Sequence, residues 1–100
     1  MLRSLLFLSG LFVAAGVSAE PPPRPAQLGL CSACHGERGH ASAAGIPHLA
    51  GQDETYLAIA LRQYRSGART ASAMRAVSGA LQDRDIDALA AWYAAQMTTP

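Results

Sequence analysis

Five residues constrain this chain more than any others: Cys31-Ser32-Ala33-Cys34-His35. They hold the only two cysteines in 100 residues. Three positions apart, the two thiols fall on one turn of a helix, and an imidazole follows at the next position. Three ordinary uses of such a pair each lack a requirement. A disulfide across two intervening residues is strained, and a thiol-exchange pair needs a βαβ setting that the chain does not offer. A zinc knuckle needs four ligands, and this one would have to recruit His40 and His48 at spacings no common finger uses.

The reading that uses all five positions is C-x-x-C-H, the attachment signature of c-type haem. Two thiols on one helical turn add to the two vinyl groups of one haem edge, and the next imidazole lies under the iron. With two Cys and three His per 100 residues, chance alone yields the pattern in about one such chain in a thousand.

Thiols destined for modification belong in an oxidising compartment, and the N-terminus points to one. Arg3 supplies a positive start, Leu5 to Val17 an apolar stretch, and Val17-Ser18-Ala19 a small-x-small cleavage site. The apolar stretch is shorter than the roughly 20 residues that span a bilayer. Residues 1–19 are therefore expected to be a signal peptide cleaved after Ala19, leaving residues 20–100 in the periplasm with no membrane insertion. All eight basic residues of the chain are Arg, and loss of Arg3 leaves seven to balance seven acidic ones. That balance gives no polybasic attraction for nucleic acid or anionic membrane. A domain of about 80 residues also buries little apolar surface and needs a staple, which a covalent haem provides.

Glu20 to Pro25 is a stiff, proline-rich lead-in. Pro25 suits the first helical position, and a brief helix is expected over Ala26 to Cys34. Gly36 to Gly51, with four Gly and one Pro, reads as an ordered loop. The strongest helical period is Leu57, Ala60, Leu61 and Tyr64 within Asp53 to Ser66, with acidic residues at its start and Gly67 as its stop. A second follows Leu81 through Ile86, Leu89, Ala90 and Tyr93, and Met97 is expected to continue that stripe into the core. A short turn is expected around Met74 to Gly79. Gln82 stands where Ser or Thr would make a better N-cap, a loss of about 1 kcal/mol. No segment reads as a strand, so the expected class is all-α, three to four short helices.

Several stretches together resemble the class I cytochromes c, especially single-domain units of cytochrome c4 and c-553 type and the cytochrome subunit of flavocytochrome c. The resemblance is carried by Cys31-Ser-Ala-Cys-His-Gly36, Ile46-Pro47-His48-Leu49-Ala50-Gly51-Gln52, Tyr56-Leu57, Tyr64-Arg65-Ser66-Gly67-Ala68-Arg69, Met74 and Leu81-Gln82-Asp83-Arg84-Asp85-Ile86. It implies a cytochrome c domain over residues 26–97, the cytochrome c fold around one covalent haem c, with Cys31 and Cys34 as thioethers. It also implies His35 as proximal and Met74 as distal iron ligand, and a Pro47 carbonyl that accepts the His35 Nδ1 proton. Tyr56, Tyr64, Arg65 and Arg69 are placed where they can reach haem propionates. His40 and His48 read as solvated loop residues, and Trp92 and Tyr93 as packing for the terminal helix against haem and the first helix.

The function so implied is an exported monohaem carrier of single electrons between a redox donor and an acceptor, and not an enzyme in itself. The alternative is a haem c subunit of a flavoprotein dehydrogenase. That alternative is motivated by the shortness of the helix before Cys31, which leaves one haem face for another chain to cover.

Overall fold

The computed structural model describes residues 4–13 and 20–100. Among them are four helices and no strand: α1 (Leu28–His35), α2 (Glu54–Ser66), α3 (Ser72–Ser78) and α4 (Asp83–Ala94). Residues 5–8 and 11–13 of the apolar N-terminal stretch are almost fully exposed. The expected cleavage site, Val17 to Ala19, lies outside the described residues.

Helix α1 begins later than Pro25 suggested. The Pro25 carbonyl accepts the Leu28 N–H at 3.2 Å, so the buried proline closes a turn ahead of the helix instead of occupying its first position. Helix α2 follows its sequence signals closely. Asp53 caps it by accepting the Tyr56 N–H at 2.8 Å, and Gly67 ends it in the left-handed conformation, φ 86°. Helix α3 is longer than the single turn expected around Met74 and has no side-chain cap.

The weak cap foreseen at Gln82 is offset from the other direction. The Asp85 carboxylate accepts the Gln82 N–H at 2.8 Å, the half of a capping box that the third helical residue supplies. Asp83 and Asp85 also place negative charge on the positive end of α4. At its far end α4 stops at Ala94, so Met97 leaves the stripe and is 76% exposed, not core. Part of what ends the helix is tertiary: the Gly51 N–H, from the loop, takes the Tyr93 carbonyl at 2.9 Å.

The core forms where α2 and α4 pack together. Leu28, Leu57, Leu81, Ile86, Leu89, Ala90 and Tyr93 make one buried cluster, with Leu28 and Ile86 wholly out of water. Each fully buried Leu or Ile contributes roughly 1.5–3 kcal/mol relative to exposure. Outside the cluster, Arg62 pairs with Asp87 at 2.8 Å and Arg65 with Asp83 at 2.6 Å, while a second Arg65 nitrogen donates to the Leu81 carbonyl. The Arg65 hydrogen bond and charge, helped by Arg62, hold the Asp83 carboxyl below the usual aspartate range. These ion pairs fix the outer register of α2 on α4 and, being solvated, contribute modestly.

Candidate functional site

Helix α1 is short because its task is local: it sets Cys31 and Cys34 one turn apart and delivers His35 at its last position. Both cysteines are free thiols. The His35 ring is buried, with Nδ1 2.9 Å from the Pro47 carbonyl oxygen. A carbonyl only accepts, so Nδ1 carries the proton and Nε2 keeps its lone pair for another partner. This contact is the one that the family resemblance implied for Pro47.

The loop from Gly36 to Gly51 holds that carbonyl in position. Its first residues are caught by α4: the Tyr93 hydroxyl donates to the Gly36 carbonyl at 3.0 Å, and Trp92 Nε1 to that of Glu37 at 2.7 Å. Further on, the Gly39 carbonyl accepts from Leu49 at 2.8 Å and Ala50 at 3.2 Å. Gly39 has φ +85°, and a Cβ there would run into the Ala50 backbone. The loop folds back on itself only because that residue has no side chain.

Cys31, Cys34, His35, Pro47 and Met74 all line one cavity of about 510 Å³, a size typical of sites for small molecules and cofactors. Most of the remaining lining is apolar and comes from α2, α3 and α4, including Leu57, Leu61, Val77 and Leu89. These five residues are thus brought to a single space. Tyr56, Tyr64 and Arg69 also line it. Arg69 donates to the Tyr56 hydroxyl at 3.3 Å and stands 5.1 Å from the centre of the Tyr64 ring. Arg65 does not join them, because Asp83 and the Leu81 carbonyl hold it on the outer face of α2.

His40 and His48 stay off this cavity, as loop residues. Their rings lie 6.3 Å apart. Among the described residues no three His, Cys, Asp or Glu side chains converge, so the zinc arrangement is not built.

Burial pushes the Cys31 thiol up to about 11. A thiolate is disfavoured in that wall, which suits a sulfur that ends as a neutral thioether. Burial, with a contribution from Cys31, likewise pushes up the Tyr93 phenol, which remains a hydrogen-bond donor. The residues fit a covalent haem: paired thiols and an imidazole at one wall, a thioether sulfur from α3, and apolar sides between.

Two features escaped the sequence reading. Packing roles for Trp92 and Tyr93 were foreseen, but not their hydrogen bonds to Gly36 and Glu37. The signal available was chemical, since a buried indole or phenol needs a partner for its polar atom. The second is Gln52, which lines the cavity and donates from Nε2 to the His48 carbonyl.

Comparison with known proteins points to one family. A family model described as cytochrome c matches residues 26–95. Cytochrome c4 of Pseudomonas aeruginosa is 35% identical over 96 residues, covering 96% of this chain and 48% of that protein. Cytochrome c-554(548) of Halomonas halodenitrificans is 40% identical over 73 residues, 70% of this chain and 88% of the relative. A thiosulfate dehydrogenase electron acceptor of Thiomonas intermedia is 43% identical over 88 residues, 86% of this chain and 39% of that protein. The chain therefore spans about half the length of its cytochrome c4 relative.

Proposed function

This chain belongs to the cytochrome c family, and from that premise we propose that it is an exported carrier of single electrons holding one covalent haem c. When bound, haem c supplies an iron centre that gains and loses one electron. Cys31 and Cys34 would tether the group as thioethers, and His35 Nε2 and the Met74 sulfur would be the two donors to its iron. Pro47 fixes the His35 tautomer and makes its ring a stronger donor. His35 and Met74 would hold the iron between two protein donors, a pairing suited to electron transfer and not to oxygen chemistry. The apolar walls from α2 and α4 keep water away from the site. Tyr56, Tyr64 and Arg69 offer polar atoms at the same cavity to the haem carboxylates.

The observation that carries this reading is the convergence of Cys31, Cys34, His35, Pro47 and Met74 on one cavity. Its test is the far-red sulfur-to-iron absorption band of the oxidised protein. The band is expected in the wild type and absent in Met74→Ala; its persistence in the variant would remove Met74 as a ligand.

Periplasmic location is supported by the exposed apolar residues between Leu5 and Val13 and the small-x-small site after them. Among the described residues no helix is long and apolar enough to cross a membrane. Sequencing of the mature protein is expected to start at Glu20. Redox proteins are the expected donor and acceptor, docking transiently where the cavity opens. A second reading, a haem c subunit of a flavoprotein dehydrogenase complex, rests on the shortness of α1, which runs only from Leu28 to His35 and leaves one face of the site for another chain to cover. Size exclusion of the protein from its natural host separates the two, since a lone monomer excludes the subunit reading.

A further inference from the structure

The N–H of Ala41 donates to Nδ1 of His48 at 2.9 Å. A backbone amide can only donate, so Nδ1 is the acceptor and His48 is held as the neutral tautomer protonated on Nε2. The residue before it is Pro47, whose carbonyl accepts from His35 Nδ1. Two adjacent residues thus tie one segment of the loop in two directions, outward to Ala41 and inward to the axial histidine. Between those ties the loop has one long internal bond, Ile46 to Ala43 at 3.4 Å. The segment is also restrained by Gln52, through the His48 carbonyl, and just beyond it by the Leu49 N–H on the Gly39 carbonyl at 2.8 Å.

We propose that His48 is a positioning residue for the proximal ligand: its neutral Nδ1, by holding Ala41, sets the Pro47 carbonyl on His35 and thereby tunes the electron affinity of the haem iron. The inference rests on His35 being that ligand. A proton on Nδ1 turns the acceptor into a donor facing a donor, and the tie to Ala41 is lost. The Pro47 carbonyl then holds His35 Nδ1–H less firmly, the ring becomes a weaker donor to iron, and the potential rises. The His40 ring, on the same loop, stands 6.3 Å from that of His48; Gln52, from the approach to α2, is neutral.

Charge alone would also raise the potential in acid, so the test must separate charge from hydrogen bonding. The midpoint potential of the haem-loaded full chain is measured from about pH 5 to 8, where imidazoles change charge, with the far-red band checked in each protein. His48→Asn keeps an acceptor where Nδ1 stood but cannot titrate, and is expected to lose the pH-dependent rise and stay at the wild-type alkaline value. His48→Leu has no acceptor and no charge, and is expected to lose the rise while sitting at or above the wild-type acid value. His40→Gln is expected to keep the wild-type curve. In the wild type, the Ala41 amide resonance should titrate together with the potential.

His48→Leu resting at the alkaline value would overturn the proposal in favour of charge alone. So would either His48 variant retaining the wild-type curve. Absence of the far-red band from the wild type would overturn the ligation reading, and this inference with it.

Discussion

The α2–α4 pair and the loop from Gly36 to Gly51 are walls of the same cavity, built in different ways. The helical wall is held by side chains wholly out of water, Ile86 and Leu89 among them, with ion pairs fixing its outer register. The loop wall has little apolar burial: its restraints are hydrogen bonds from Tyr93, Trp92, Leu49, Ala50 and Gln52, together with that of His48 to Ala41. Apolar burial resists unfolding but is indifferent to small displacement, whereas a hydrogen bond has a direction and loses strength when bent. One wall therefore supplies stability and the other supplies aim. It is the aimed wall that carries Pro47.

The contrast breaks if the two walls respond alike to substitution. The largest effect is expected from Ile86→Ala, which opens a void in the helical core. Urea unfolding of the haem-loaded protein should show a loss of about 2–5 kcal/mol, with the far-red band of the folded fraction unchanged. Gly39→Ala attacks the other wall, where the alanine must adopt a positive φ and its Cβ meets the Ala50 backbone. A cost of about 1–3 kcal/mol is expected, accompanied by a change in midpoint potential that Ile86→Ala should not produce. If Gly39→Ala leaves the potential untouched, the loop is not what aims His35.

The smallest effect belongs to the outer ion pairs. Asp83 is held below its ordinary value of 3.8 by Arg65 first and Arg62 second. Its contribution to stability is therefore full above that value and is lost as pH falls through the lowered folded one. Asp83→Asn should lower the urea midpoint slightly at neutral pH and in low salt. The difference should vanish in strong acid and shrink as salt is added.

How far the sequence revealed these two walls follows from the forces that hold them. Helix α2 was legible almost to the residue because its stripe, its Asp53 cap and its Gly67 stop are all local. The end of α4 was not. Ala95-Gln96-Met97 continues the period without a stop signal, and the Gly51 N–H at the Tyr93 carbonyl comes from a distant loop, so Met97 was wrongly placed inside. Pro25 was misjudged on a finer scale, since a proline that starts a helix and one that closes the turn before it look alike in sequence. At the site, the pentapeptide specified its own chemistry, and the family resemblance supplied Pro47 and Met74. The bonds that fix the loop were not legible, because they join residues with no pattern linking them in the chain. Arg65 illustrates the limit: its neighbourhood suggested the cavity, and the acidic start of α4 holds it outside.

The two bonds that run from α4 to the exit of α1, Tyr93 to Gly36 and Trp92 to Glu37, join residues 57 and 55 positions apart. They also order the events by which the protein is made. The attachment sequence is complete once the chain extends to His35, but the loop that buttresses His35 cannot be pinned until the last helix has formed and returned. Contacts of such separation form late, after the entropy of closing the intervening chain has been met. Attachment can thus proceed on an open chain, with both thiols accessible, and enclosure comes afterwards around a group already tethered. A C-terminal truncation before Trp92 would leave a chain able to acquire its haem and unable to wall it in.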